Sequence, residues 1–205
     1  MLVQSLGLKD YEEVWALQRR LVEERARGAI QDTLLLCEHP PVYTTGASSK
    51  APVPPYLPHP LHRVERGGDL TYHGPGMLMG YPIVELAAQG LRPRTYLRAL
   101  EETLIAAVRP LGVEARTLRG FTGLWAGSRK IASIGVAIKG GVSFHGFALN
   151  VNCNLSPFSA IFPCNLQPDQ MTTLESVLGK PLDFGEVWRR AADAVLQRFS
   201  APVAA

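Results

Sequence analysis

Apolar residues recur at helical spacing in two long stretches of the chain. The first runs from about Tyr11 to Arg27, behind a capping-box pattern of Asp10 and Glu13, and Gly28 is expected to end it. The second runs from about Arg94 to Arg109. Its apolar face consists of Leu97, Leu100, Leu104 and Val108. Two helices of about four turns each are therefore predicted.

Two further capping-box patterns lie near the C-terminus. Thr172 with Glu175 predicts the start of a short helix, and Asp183 with Glu186 predicts a C-terminal helix over about 184–199.

Shorter segments have the length of strands. Residues 33–37 form an apolar run that Pro40-Pro41 ends, and residues 2–4, 63–65 and 77–86 are also predicted to be strands. A hairpin is predicted from residues 130–138 and 142–151, because Gly140-Gly141 between them is a typical turn sequence. Strands and helices do not alternate regularly. The pattern thus indicates an α/β (α+β) fold with a mixed, largely antiparallel sheet flanked by helices.

Length and composition set limits on the class of protein. The 205 residues suit a single domain over residues 1–205, and five prolines in residues 47–61 predict a loop there. A hydrophobic fraction of 46% and a net charge of +3 are ordinary for a globular protein, so no nucleic-acid partner is expected. No apolar run reaches the roughly 18 residues that span a bilayer, and the N-terminus does not resemble a signal peptide. We therefore expect a cytoplasmic protein without a membrane partner.

The three cysteines, Cys37, Cys153 and Cys164, do not form the pattern of a disulfide framework or a zinc site. Cys37 and Cys153 lie in or beside strand-like runs, where a small buried hydrophobic residue is the usual interpretation. Cys164 follows a proline in a stretch without periodicity, and such a turn can present a thiol to a cleft. Cys164 is therefore the candidate nucleophile among the three.

Three other segments contain candidate functional residues, and each also has an ordinary structural explanation. The run Arg66–Gly76 contains four glycines that would let backbone approach a ligand, although a set of tight turns explains it equally well. Lys130 opens an apolar strand, where a lysine commonly extends its amine to solvent. His145 lies within another apolar strand, where a hydrogen-bonded core histidine is the more common outcome.

Together these segments resemble the octanoyl-carrier-protein:protein octanoyltransferases, the lipoate-protein ligase B family. The resemblance covers nearly the whole chain and consists of several motifs in the family's order. These are EHPPVYT (38–44), RGGDLTYHGPG (66–76), KIASIG (130–135), HGFALNV (145–151), PCN (163–165) and TTLE (172–175). It implies the α/β catalytic domain shared by biotin ligases and lipoate ligases.

The resemblance also implies roles for individual residues. Cys164 matches the family's acyl-thioester cysteine, and Lys130 matches the lysine that lowers the pKa of that cysteine. The segments that match those enclosing the acyl chain contain Arg66, Gly67, Gly68, Asp69, Leu70, Thr71, Tyr72, His73, Ser133, Ile134, Gly135, His145, Gly146, Phe147 and Ala148. Two positions depart from the family pattern: Asn165 stands where Gly is common, and Met77 stands where Gln is common.

The implied activity is transfer of an octanoyl group from acyl carrier protein to a specific lysine, through an acyl-cysteine thioester. The implied acceptors are the lipoyl domains of 2-oxoacid dehydrogenases and the glycine cleavage H protein. No cofactor and no metal are expected. Three alternatives stay open: an ATP-dependent lipoate-protein ligase, a Cys/His acyl-thioester hydrolase that pairs Cys164 with His73 or His145, and a non-catalytic acyl-binding module.

Overall fold

The computed structural model describes residues 1–161 and 168–200. In chain order its elements are β1 (Leu2–Leu8), α1 (Tyr11–Ala26), β2 (Thr33–Glu38), β3 (Val42–Gly46), β4 (Leu61–Val64), β5 (Thr71–His73), β6 (Met77–Ile83), α2 (Pro93–Val108), β7 (Ala115–Leu118), β8 (Phe121–Ala126), β9 (Arg129–Lys139), β10 (Val142–Asn150), α3 (Leu174–Leu178) and α4 (Phe184–Phe199). No helix within these residues is long and apolar enough to cross a bilayer.

The strands form a large and a small sheet. The seven-stranded sheet has the order β1-β2-β6-β10-β9-β8-β7, and the three-stranded sheet has the order β4-β3-β5. In the large sheet β1 and β2 are parallel, and all other neighbours are antiparallel. The predicted mixed, largely antiparallel sheet with flanking helices is confirmed.

The hairpin between β9 and β10 has the predicted glycine turn. Lys139 pairs with Val142, and Gly140 and Gly141 between them have φ of 57° and 80°. Two successive positive φ angles match the twist of a two-residue hairpin and are readily adopted only by glycine and a few polar residues. This turn fixes the register that brings Ser133 opposite Ala148.

The helix ends follow the predicted capping patterns with one shift. The carboxylate of Asp10 accepts hydrogen bonds from the backbone N–H groups of Glu12 and Glu13, as an N-cap residue does. The cap of α3, however, is Thr173, whose hydroxyl accepts from the backbone of Ser176. The prediction that Thr172 caps this helix is wrong by one residue, because the backbone N–H of Glu175, which a Thr172 cap would bind, donates to the carbonyl of Val151.

The large sheet is covered on both faces, which explains why its central strands are continuously apolar. Along β6, Leu78 belongs to the core shared with α2 and α4, whereas Met79 and Tyr81 belong to the core shared with α1 and the small sheet. Met77, the departure from the family pattern, is fully buried in this second core. The small sheet therefore stands over one face of the large sheet, and the space between them is where a cavity can form.

Candidate active site

A cavity of about 540 Å³ lies between the large sheet and the segment that links β4 to β5. Its floor is made of small residues on paired strands, because Ser133 lies opposite Ala148 and Gly135 lies opposite Gly146. Larger side chains at Ser133 and Ala148 would occupy this volume, whereas a β-carbon on Gly146 would clash with the carbonyl oxygen of Gly80. The sequence thus leaves the space open on one face of β9 and β10.

The segment that links β4 to β5, with Arg66, Gly67, Gly68 and Asp69, forms the roof of the cavity and lies close to this floor. The backbone N–H of Gly67 donates to the carbonyl of Val136 at 3.0 Å. A β-carbon on Gly135 would lie 2.8 Å from the carbonyl oxygen of Gly67 and 3.1 Å from Cδ of Arg66. Glycine at position 135 is therefore what permits this close backbone approach.

The lining combines an apolar surface with a few polar groups. Its apolar members are Met79, Leu97, Ile134, Val136, Phe147, Ala148 and Met171. Its polar side chains include Tyr11, Arg66, His73, Tyr81, Lys130 and His145. A mostly apolar cavity with a small number of placed polar groups is the usual form of a small-molecule or acyl-binding site.

Most of the residues predicted for the site line this cavity. They are Lys130, Arg66, Gly67, Gly68, Asp69, Thr71, His73, Ser133, Ile134, Gly135, His145, Gly146, Phe147 and Ala148. Leu70 and Tyr72 do not line it. Side chains alternate along β5, so Tyr72 packs on the opposite face against Tyr43 and Phe158, and Leu70 is buried in the same core. Cys164 lies outside the described residues.

Lys130 is 4% exposed and stands at the start of β9. Its Nζ lies 5.9 Å from the ring centroid of Trp125, the residue that pairs with it on β8. A β-carbon on Gly123, which has φ of 124°, would lie 2.7 Å from Cε of Lys130. The lysine stem therefore occupies space that only glycine leaves at this bulge, and its amine is kept inside the protein rather than extended to solvent.

Met171 and Thr172 pair with the backbone of Lys130. Met171, seven residues beyond Cys164, forms a parallel bridge with Lys130. The N–H of Thr172 donates to the carbonyl of Lys130 at 2.9 Å. Met171 also lines the cavity.

Arg66 stabilises the roof of the cavity through hydrogen bonds to backbone carbonyls. It is 8% exposed, and its guanidinium donates to the carbonyls of Thr44, Gly67 and Asp69 at 2.6, 3.0 and 2.8 Å. The hydroxyl of Thr44 also accepts from it, at 2.9 Å. Arg66 thus links β3 to the glycine-rich turn and brings a buried positive charge next to the cavity.

Two histidines at the cavity are held neutral. Burial lowers the pKa of His73 well below its usual value, and the charge of Arg66 lowers it further. Burial also lowers the pKa of His145 to about 4, although its Nε2 lies 3.3 Å from a carboxylate oxygen of Glu65. A third neutral histidine, His39, lies behind the cavity wall, and burial again lowers its pKa. At pH 7 these rings carry no charge.

His145 is held in an unusual backbone conformation. Its φ is 54°, and its N–H donates to the side-chain oxygen of Gln18 on α1 at 2.7 Å. The Glu65 carboxylate near its ring also accepts from the indole of Trp15 at 2.8 Å. Burial would raise the pKa of Glu65, but hydrogen bonds from its own backbone, Trp15 and His145 lower it overall. The ring of His145 is thereby fixed between α1 and the roof.

Because the folded state keeps His145 neutral, acid should destabilise the protein. The unfolded state takes up a proton near pH 6.5 and the folded state only near pH 4, so stability is full above pH 6.5 and falls as the pH drops toward 4. His145 alone accounts for a loss of about 2 kcal/mol between pH 7 and pH 5. Urea unfolding at both pH values measures it. His145→Asn, which tolerates the same φ, should reduce the loss by about that amount; an unchanged loss would contradict this assignment.

Some residues that line the cavity were not predicted from the sequence. Tyr11 is the first residue of α1, and Tyr81 and Met79 are inward-facing residues of β6. Tyr11 stacks on the ring of His73 with centroids 6.1 Å apart. The alternation along residues 77–83 could have indicated Met79 and Tyr81, but which of its two buried faces holds a cavity depends on the second sheet. No group of three or more His, Cys, Asp or Glu side chains in the described part of the chain is placed to hold a metal ion.

Comparison with known proteins identifies the family to which this chain belongs. The model of the lipoyl protein ligase A/B catalytic domain matches residues 10–196. An octanoyltransferase of Syntrophotalea carbinolica is 45% identical over 192 residues, which cover 93% of this chain and 90% of that protein. This chain belongs to the lipoyl protein ligase A/B catalytic domain family. A second member, an octanoyltransferase of Nocardia farcinica, is 43% identical over 203 residues. This alignment covers 96% of this chain and 81% of that protein.

The name octanoyltransferase shared by these family members denotes an acyltransferase, and at this identity the present chain is an acyltransferase as well. Solved structures share the fold at lower identity. A bipartite lipoate protein ligase of Thermoplasma acidophilum has a TM-score of 0.72 at 16% identity, covering 97% of this chain and 83% of that one. Lipoate-protein ligase A bound with ATP has a TM-score of 0.67 at 16% identity, covering 97% and 84%. The predicted relation to lipoate ligases is thus confirmed for the fold.

Proposed function

We propose that this chain transfers an octanoyl group from acyl carrier protein to a lysine of a lipoyl domain, through a thioester on Cys164. The observation that carries the proposal is the buried Lys130 in the wall of a mostly apolar cavity, in a chain whose relatives are octanoyltransferases. The apolar wall suits an alkyl chain. The amine suits a reacting centre that develops negative charge.

The first half of the reaction loads the enzyme. The Cys164 thiolate attacks the carbonyl carbon of the octanoyl thioester, a new C–S bond forms, and the phosphopantetheine thiolate leaves. The leaving thiolate takes a proton from the Lys130 ammonium, which leaves that amine neutral for the second half. An ordinary thiol, with a pKa of about 8.5, is only a few per cent ionised at pH 7. An ammonium at Lys130 raises that fraction by stabilising the thiolate. One thioester replaces another, so this step requires no ATP.

The second half delivers the acyl group. The lysine amine of the acceptor attacks the acyl-Cys164 carbonyl, a C–N bond forms, and the Cys164 thiolate leaves with its electron pair. The amine gives up a proton, which Lys130 accepts in its neutral form. An amide is more stable than a thioester, so this half-reaction runs downhill.

Chain-length selection would come from the cavity. Each buried methylene contributes about 0.8 kcal/mol, so the seven carbons beyond the carbonyl contribute roughly 5 kcal/mol. Met79, Phe147 and Ala148 are among the apolar groups available for this contact. A chain longer than the cavity would gain nothing further and would have to displace the wall.

The acceptors we propose are the lipoyl domains of 2-oxoacid dehydrogenases and the glycine cleavage H protein. The Thermoplasma lipoate protein ligase of the same fold was studied with its own E2 lipoyl domain, which supports an acceptor of this class. The mechanism requires Cys164 to stay reduced, in agreement with the cytoplasmic location expected from the sequence.

The state of the histidines favours transfer over hydrolysis. A hydrolase of the Cys/His type requires a histidine that accepts a proton near neutral pH. His145 has a pKa of about 4, and burial lowers that of His73 as well. Both are weak bases at pH 7.

The test of this function is the intact mass of the protein after mixing with octanoyl-pantetheine. We expect one octanoyl adduct per chain, reversed by hydroxylamine and discharged by apo-lipoyl domain with transfer of the same mass to that domain. A catalytically active protein whose mass stays unmodified throughout turnover would refute the covalent mechanism. Transfer that depends on ATP and free octanoate would instead identify a ligase.

A further inference from the structure

The hydroxyl of Thr44 lies between Arg66 and His73. Thr44 is fully buried on β3, and its Oγ1 is 2.9 Å from Nη2 of Arg66 and 3.0 Å from Nε2 of His73. A guanidinium only donates hydrogen bonds, and the Thr44 hydroxyl accepts from both Nη2 and Nε of Arg66, at 2.9 and 3.3 Å. These two bonds use both lone pairs of the hydroxyl oxygen. Its single proton is therefore directed to His73, and Nε2 of His73 is an acceptor.

This hydrogen-bond order decides which ring nitrogen of His73 carries the proton. The ring is neutral, because burial and the charge of Arg66 lower its pKa. With Nε2 accepting, the proton of the neutral ring lies on Nδ1. Nδ1 is buried and has no hydrogen-bond partner among residues 1–161 and 168–200. A buried donor left without a partner destabilises the folded protein, and a ligand that accepts from it removes this penalty.

The two other buried histidines near His73, His39 and His145, are already engaged in hydrogen bonds. Nδ1 of His39 lies 2.7 Å from the carbonyl of Lys9 and therefore donates to it. Nε2 of His39 then accepts from the hydroxyl of Tyr81, also at 2.7 Å. His145 contacts Glu65. His73, which lines the cavity and is 6% exposed, therefore offers a donor that these polar neighbours do not use.

We propose that Thr44 is a positioning residue that fixes His73 as an Nδ1–H donor, and that this N–H binds the carbonyl oxygen of the acyl group. The assignment of the ligand rests on the proposed function. A fatty acyl thioester has one good hydrogen-bond acceptor, its carbonyl oxygen, and the rest of the chain matches the apolar wall. The polarised carbonyl would be easier to attack, since a fixed donor stabilises the oxygen as it gains charge.

The tautomer can be tested without any substrate. Long-range proton–nitrogen spectra of the ¹⁵N-labelled full chain report both ring nitrogens of each of the five histidines. We expect His73 to be neutral, with its proton on Nδ1, from pH 8 to pH 5. Thr44→Val, which removes only the hydroxyl, should convert the ring to a mixture of tautomers, and Thr44→Ser should restore the Nδ1–H form. An Nε2–H ring in the unmodified protein would overturn the proposal.

The kinetic test uses two variants that mimic opposite sides of the ring. The amide nitrogen of His73→Asn falls near Nδ1, and that of His73→Gln falls near Nε2. In single-turnover acylation by octanoyl-pantetheine, we expect His73→Asn to stay within about fivefold of the unmodified protein and His73→Gln to lose about 10²-fold, the usual effect of losing one such donor. The reverse order of the two variants would contradict the role of Nδ1.

Thr44 is tested by separating rate from binding. Thr44→Val should lower the maximal acylation rate about tenfold, part of the loss of one donor, and leave the half-saturating concentration within about twofold. Thr44→Ser should recover the rate to within about threefold. Equal rates for Val and Ser, or a change confined to half-saturation, would show that Thr44 only supports the fold.

A non-reacting ligand separates this inference from the proposed function. In the ketone analogue of octanoyl-pantetheine a methylene replaces the thioester sulfur, so the carbonyl remains but cannot be transferred. Its binding should move the Nδ1–H proton of His73 downfield, whether or not Cys164 reacts with thioesters. An octanoyl adduct that forms normally, together with an Nδ1–H signal unmoved by the bound ketone, would refute the inference and leave the function intact.

Discussion

Cys164→Ser should abolish the octanoyl adduct and lower octanoyl transfer by about 10⁴-fold or more, as loss of a catalytic nucleophile does. A serine hydroxyl is far less acidic than a thiol, and a neighbouring ammonium does not ionise it at neutral pH. The adduct is measured by intact mass, and the transfer by the gain of octanoyl mass on apo-lipoyl domain. The same Ser variant should keep the unmodified urea midpoint.

The two other cysteines provide matched controls for this variant. Both are buried, and burial raises the pKa of the Cys37 thiol and raises that of Cys153 to about 12. At pH 7 neither thiol ionises appreciably. Cys37→Ala and Cys153→Ala should therefore form one adduct per chain, as the unmodified protein does. If the adduct disappeared in either of these variants and persisted in Cys164→Ser, Cys164 would not be the nucleophile.

The parts of the fold that could be predicted from the sequence are those with local signals. The β9–β10 hairpin has its turn and both arms within one stretch, and α1 has its cap and apolar face within 17 residues from Asp10 to Ala26. The pairing within the small sheet gave no such signal, although a strand was predicted over residues 63–65, close to β4 at Leu61–Val64. The strands of this sheet have three to five residues each, and β3 pairs with β4 across the proline-rich connection. Such pairing depends on the large sheet beneath it rather than on local pattern.

The same limit applies to the candidate site. The glycine-rich motif and Lys130 were predicted because the resemblance marks them, and the structure places them around one cavity. Thr44 was not predicted, although it lies within the quoted motif 38–44. It meets His73 only because Thr44 pairs with Thr71 in the antiparallel β3–β5 ladder, which makes His73 its diagonal neighbour on one face. Leu70 and Tyr72 were predicted within a continuous motif, whereas alternation turns Tyr72 toward the opposite face.

Lys130→Met should slow enzyme acylation by about 30-fold at pH 7, with a loss that shrinks to about threefold or less at pH 9.5. If the ammonium acts by ionising Cys164, its removal returns the thiol to a pKa of about 8.5, where about 3% is thiolate at pH 7 and most is thiolate at pH 9.5. The methionine keeps the buried stem against Trp125 and Gly123. Rapid-quench mass measurements of adduct formation across this pH range give the profile.

The second half-reaction distinguishes the two roles of the lysine. Discharge of the octanoyl enzyme to a lipoyl-domain amine requires a proton acceptor, so in Lys130→Met it should stay slow at pH 9.5, by about 10²-fold, the usual contribution of a general base. Lys139→Met is the matched control, because Lys139 ends the same strand, is exposed and pairs with Glu23 at 3.2 Å. Its profile should follow that of the unmodified protein in both half-reactions. If raising the pH restores discharge in Lys130→Met as fully as acylation, Lys130 serves only to ionise the nucleophile, and the acceptor amine loses its proton to solvent.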